Sequence, residues 1–101
     1  MHLVEILLPV ANNEGQPFDT QKYVVVREEL SRRLGGITAF TRAPAEGSSL
    51  AKGTAVHDDI IVFEVMTDTL DRPWWEAYRQ QLEQSFSQDE IVIRAVFITR
   101  L

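Results

Sequence analysis

The chain has no cysteine and only two histidines among its 101 residues. Without a thiol there is no disulfide framework, no thiolate nucleophile and no Cys-ligated zinc or iron–sulfur site. Positive charge is also scarce: ten Lys and Arg stand against fifteen Asp and Glu, a net charge of −5. The basic residues are scattered, with Arg32-Arg33 the one adjacent pair. No polybasic patch points to nucleic acid or an anionic membrane, and both are excluded as partners. Five glycines and four prolines are too few for a low-complexity tract or a linker. No apolar run nears the twenty residues of a membrane span, and Met1-His2-Leu3 opens with neither a basic region nor a small-residue cleavage site. The expectation is a cytoplasmic protein.

What remains is ordinary for one globular domain over residues 1–101, at 45% hydrophobic and 25% charged. Leu3–Val10 alternates as a strand, with Val4, Ile6, Leu8 and Val10 against Leu3, Glu5 and Leu7. Asn12-Asn13-Glu14-Gly15 makes a turn. Asp19 is placed to cap a helix over Thr20–Leu34, with Phe18 stapling onto Tyr23 and Tyr23, Val26, Leu30 and Leu34 on one face. Arg32-Arg33 complement its C-terminal dipole, and Gly35 stops it. Ile37–Arg42 is a short strand. Ala43–His57 has no usable period, and a loop that long in a small domain is expected to be functional or disordered.

Ile60–Met66 reads as a central strand, apolar on both parities except at Glu64. A carboxylate in such a run needs a partner, solvent or a role. A second helix starts near Thr69 or Asp71, takes Pro73 in its first turn and buries Trp75, Tyr78, Leu82 and Phe86. Glu90–Leu101 is the last strand, with Ile91, Ile93, Ala95 and Phe97 on the core parity. The order β-α-β-β-α-β with right-handed crossovers predicts an α+β, ferredoxin-like domain. It has a four-stranded antiparallel sheet, two helices on one face, and the first and third strands central.

The parities turned away from the helices collect Glu5, Glu64, Arg42, Arg94 and Arg100 among Leu3, Leu7, Phe40, Val62, Met66, Val92, Val96 and Ile98. Such a face is too apolar to stay in water, and a second copy packed sheet to sheet is its simplest cover. The charges have two readings. One is an ion-pair cluster that fixes register in a homodimer. The other is a ligand pocket in which Arg94 or Arg42 grips an anionic group and Glu64 or Glu5 is a base with its pKa raised by desolvation.

Other candidates carry less. His57-Asp58-Asp59 has metal-binding residue types but fits a solvated strand end better, so no metal is expected. Trp74-Trp75 with Tyr78 is core at helical spacing, leaving Trp74 at the helix edge. Ser48-Ser49 lacks an acid–base partner at motif spacing, and Lys52-Gly53-Thr54 lacks the glycines of a phosphate loop.

Gly35–Phe40, Arg42–Gly47 and Phe86–Arg94 together resemble a family of small bacterial proteins. Its members carry a Gly-Gly-(Ile/Val)-Thr-x-(Phe/Leu) strand, an Arg-Ala-Pro-Ala-Glu-Gly loop and a late Phe-x-Gln-(Asp/Glu)-(Glu/Ser)-(Ile/Val)-Val-x-Arg segment. That resemblance implies no catalytic residue. More loosely, the architecture is similar to dimeric α+β barrel proteins, which include cofactor-free monooxygenases, small isomerases and binding proteins. Many of these use a histidine over the sheet, which this chain lacks.

Two functions follow. The first is a non-enzymatic homodimeric protein that binds a small anionic or amphipathic molecule, or a partner, through the Ala43–His57 loop and the open sheet, with Glu5, Phe40, Arg42, Val62 and Arg94 as its binding residues. The alternative is an enzyme of isomerase, lyase or monooxygenase type acting, without a cofactor, on a small organic acid. In that version Arg42 and Arg94 bind carboxylate, Glu64 abstracts a proton, and Tyr78 or His57 assists.

Overall fold

A computed structural model describes residues 1–34, 38–45 and 58–101, with 38–45 and 58–59 described by backbone alone. Gly35, His57 and the 46–57 part of the expected loop lie outside the described residues. The elements run β1 (His2–Pro9), α1 (Thr20–Leu34), β2 (Thr38–Ala45), β3 (Asp58–Thr67), α2 (Arg72–Ser85) and β4 (Val92–Phe97). This is an α+β domain with two helices and an antiparallel sheet.

Each helix is fixed at its start by an aspartate. Asp19 Oδ1 accepts the Gln21 N–H at 2.9 Å ahead of α1, and Asp71 Oδ1 accepts the Trp74 N–H at 3.3 Å ahead of α2. The Val24-Val25-Val26 run favours a strand on propensity, yet it is helical because Val26 and Leu30 lie in the core. Phe18 does not simply staple onto Tyr23. Both rings pack on Phe86, at 5.1 and 5.6 Å between centroids. The end of α2 is closed without glycine: Ser87 takes a left-handed φ of 52°, and Gln88 N–H reaches the Glu83 carbonyl at 2.9 Å.

The strand order is β2-β3-β1-β4, and every neighbouring pair is antiparallel. The most apolar strands, β1 and β3, are central. Val4, Ile6 and Leu8 of β1 and Phe63 and Val65 of β3 are fully buried, and they share one core with Val26, Leu30, Trp75, Tyr78 and Leu82 of the helices. Both helices therefore cover the same face. Burial of side chains this size stabilises by about 1.5–3 kcal/mol each before entropy is counted.

Two assignments from the sequence are corrected. Phe97, expected in the core, is 82% exposed and leans on the His2 ring at 4.3 Å, the planes tilted by 37°. It sits at one end of an edge strand, and of its parity only Ile91 is buried and Ile93 partly so. Phe40 and Arg42, expected on the open face, pair in register with Phe63 and Ile61, the helix-side rows of β3. The positions of β2 aligned with Glu64 and Val62 are Ala39 and Thr41. A one-residue change of parity exchanges the two faces completely.

Candidate functional site

The open face is organised as three rows. Leu3 lies between Met66 and Val96, Glu5 between Glu64 and Arg94, and Leu7 between Val62 and Val92. A charged row thus runs between two apolar ones, with strands about 4.8 Å apart. Alternation in β1, β3 and β4 puts these residues here, because their opposite parities are claimed by the helix-side core.

The charged row sets one cation beside two acids, and the cation pairs with one of them. Arg94 Nε donates to Glu5 Oε1 at 3.0 Å, with the Glu5 side chain 22% exposed and that of Arg94 58%. Glu64 is half-buried, and among the described residues its side chain has no hydrogen bond or ion pair. Like charges directly opposite across strands repel. Among the described residues the row therefore carries an unpaired carboxylate at Glu64 and, at its outer end, a guanidinium whose remaining N–H groups have no partner. Arg100 lies past the end of β4, so it does not belong to the row.

Tyr78 is elsewhere. It is buried between the helices, on the other side of the sheet from Glu64. Its hydroxyl donates to Glu29 Oε1 at 3.3 Å, and Gln81 Nε2 donates to Glu29 Oε2 at 3.2 Å. Burial first, then the charge of Glu29 and this hydrogen bond, push the phenol pKa well above its usual value. From the helical layer the Tyr78 hydroxyl does not reach Glu64 across the sheet, which corrects its expected place beside that acid. Trp74 stacks on Tyr78 at 5.0 Å and lies under the Arg33 guanidinium at 5.3 Å, on the wall of a 540 Å³ groove.

Of the residues singled out from sequence, the structure brings together Glu5, Glu64, Val62 and Arg94. Phe40 and Arg42 fall in other rows, and Tyr78 in another layer. Two acids escaped notice as structural ties. Glu29 joins the helices through Tyr78 and Gln81. Glu83 accepts the Ile91 N–H at 3.0 Å and pairs with Arg79 at 2.9 Å, and it is held below the usual carboxylate range chiefly by the Ile91 bond. Both flank apolar stripes, where spacing alone shows only a polar neighbour.

No family model and no curated protein matches the chain. Among solved structures it is similar to a phage SAM lyase in complex with S-methyl-5′-thioadenosine. The TM-score is 0.63 at 12% identity, over 94% of this chain and 79% of that one. At this identity the likeness is one of fold. Among the described residues no helix is long and apolar enough to cross a membrane.

Proposed function

We propose that the chain is a ferredoxin-like βαββαβ domain that binds a small anionic or amphipathic molecule on its open sheet face, closed over by a second copy in a homodimer. The observation that carries this reading is the Glu64–Glu5–Arg94 row between two apolar rows. Arg94 is held in place by Glu5 through one nitrogen, which leaves its terminal N–H pair for a ligand carboxylate or phosphate. Val62, Leu7 and Met66 supply the apolar floor. Arg42 and Phe40, in the helix-side register, drop out of the binding set. The SAM lyase of similar fold holds a small molecule, which supports this use of the architecture.

Native mass spectrometry of the purified protein tests the reading. A bound small molecule on a dimer is expected, and Val62→Arg should lose both. A ligand-free monomer in the wild type sinks it.

A second, catalytic reading rests on Glu64, the acid of the row with no counter-charge among the described residues. As a general base it would be essential, so Glu64→Gln should lower turnover about 100-fold or more while the fold stays intact. SAM is the first substrate to try, followed by product analysis. Unchanged turnover in Glu64→Gln rejects the reading.

A further inference from the structure

The outer edge of β4 is an unguarded strand. We infer that β4 pairs antiparallel with β4 of a second copy about a two-fold axis at Ala95, joining two sheets edge to edge. This contact is separate from the open-face association and does not depend on it.

The hydrogen-bonding direction comes first. Ile98 N–H donates to the Met1 carbonyl at 3.1 Å, so residues of its parity in β4 turn their N–H and C=O groups toward β1. Ile93, Ala95 and Phe97 therefore present theirs outward, and β4 lies at the end of the strand order. Natural edges are protected by lysine, proline or a bulge. The six residues of β4 hold no lysine or proline, and the guanidinium of Arg94 is bonded to Glu5. Apolar exposure gathers on the same segment: among the described residues Val92, Val96, Phe97 and Leu101 are exposed, and Val25 is the one other large hydrophobe like them.

Shape and charge then select the register. Beside β4, on the helix side, is a 400 Å³ hollow lined by the apolar Val4, Leu70, Trp75, Ile93 and Ala95 and by four charged residues, three of them arginines. Phe97 stands out of the same edge on the same face, four residues from Ile93 and about 13 Å along the strand. With Ala95 opposite Ala95, Phe97 of each copy comes opposite Ile93 of the other, so each ring meets the other copy's hollow. Past the two ends of β4, the same alignment brings Arg100 of one copy to the side of Glu90 of the other, both exposed in the single chain. Moving each strand one step the other way sets Arg94 against Arg94, which repels. An isologous contact of this kind closes on itself.

Sedimentation across micromolar to submillimolar concentrations tests the contact. Ala95→Pro removes an outward N–H only, a position where an edge strand tolerates proline, so the fold should survive by circular dichroism. It should weaken edge association about 100-fold or more, as should Phe97→Asp. Glu90→Arg and Arg100→Glu should each weaken it, and the double exchange should restore it. Wild-type mass retained in Ala95→Pro and Phe97→Asp overturns the contact, as does a wild-type monomer. Loss of assembly in Val62→Arg but not in Ala95→Pro overturns it while leaving the open-face dimer standing.

Discussion

The two faces of this sheet are built by different physics. On the helix side, Phe63 and Val65 of β3 meet Val4, Ile6 and Leu8 of β1 under two helices, and the contents are set by volume and dryness. On the open side the same strands, with β4 beside them, present Glu64, Glu5 and Arg94 between Leu, Val and Met, half-covered and with unequal charge. The first face would accept any well-packed set of apolar side chains. The second has a charge arrangement that packing does not require, and the proposed binding role rests on that difference.

Breaking the packed face should have the largest effect. Phe63→Ala removes a ring that is 1% exposed at the centre of the core. The expected loss is about 3–5 kcal/mol in chemical denaturation, the cost of the ring's burial plus the cavity it leaves. A loss below 1 kcal/mol would show that the helices do not seal this face.

The contrast between faces was legible from alternation in β1 and β3, where one parity is wholly apolar and the other carries the acids. It was not legible in β2. Thr38, Phe40 and Arg42 oppose Ala39 and Thr41, so neither parity is clearly apolar, and only the pairing with β3 decides. Phe97 misled for a different reason. Its parity is right, but the edge strand extends past the part of the core that holds Ile91. Pattern reports which way a side chain points, not whether anything lies above it. The Glu5–Arg94 bond and the Glu5–Glu64 opposition required a register that one sequence does not contain.

A smaller effect separates the helical layer from the site through pH. Tyr78 has a folded pKa above its unfolded value near 10. Above pH 10 the unfolded chain releases this proton while the folded chain keeps it, so stability falls as pH rises. Its contribution is fully present below pH 10. Denaturation midpoints between pH 9 and 11 should show this decline. Tyr78→Phe should reduce it and lower stability at neutral pH by about 1–2 kcal/mol through the lost bond to Glu29. An unchanged decline in Tyr78→Phe would place its source elsewhere.

The smallest expected effect bears most directly on the open face. If Glu64 is retained for function, removing its charge should not harm the fold. Glu64→Gln relieves the repulsion from Glu5 and should stabilise by a few tenths of a kcal/mol, about 0.2–1. Arg94→Gln should cost no more than about 1 kcal/mol, since the Arg94 side of its pair with Glu5 is exposed to solvent. The two changes should not add. Without Arg94 the Glu5 charge is unscreened, so Glu64→Gln should stabilise the Arg94→Gln background more than it does the wild type. A double-mutant cycle measures that coupling through Glu5. A cycle that closes at zero would mean the three side chains do not sense one another, and a destabilising Glu64→Gln would mean this acid is structural. Only a stabilising Glu64→Gln with positive coupling fits an acid kept against the interest of the fold.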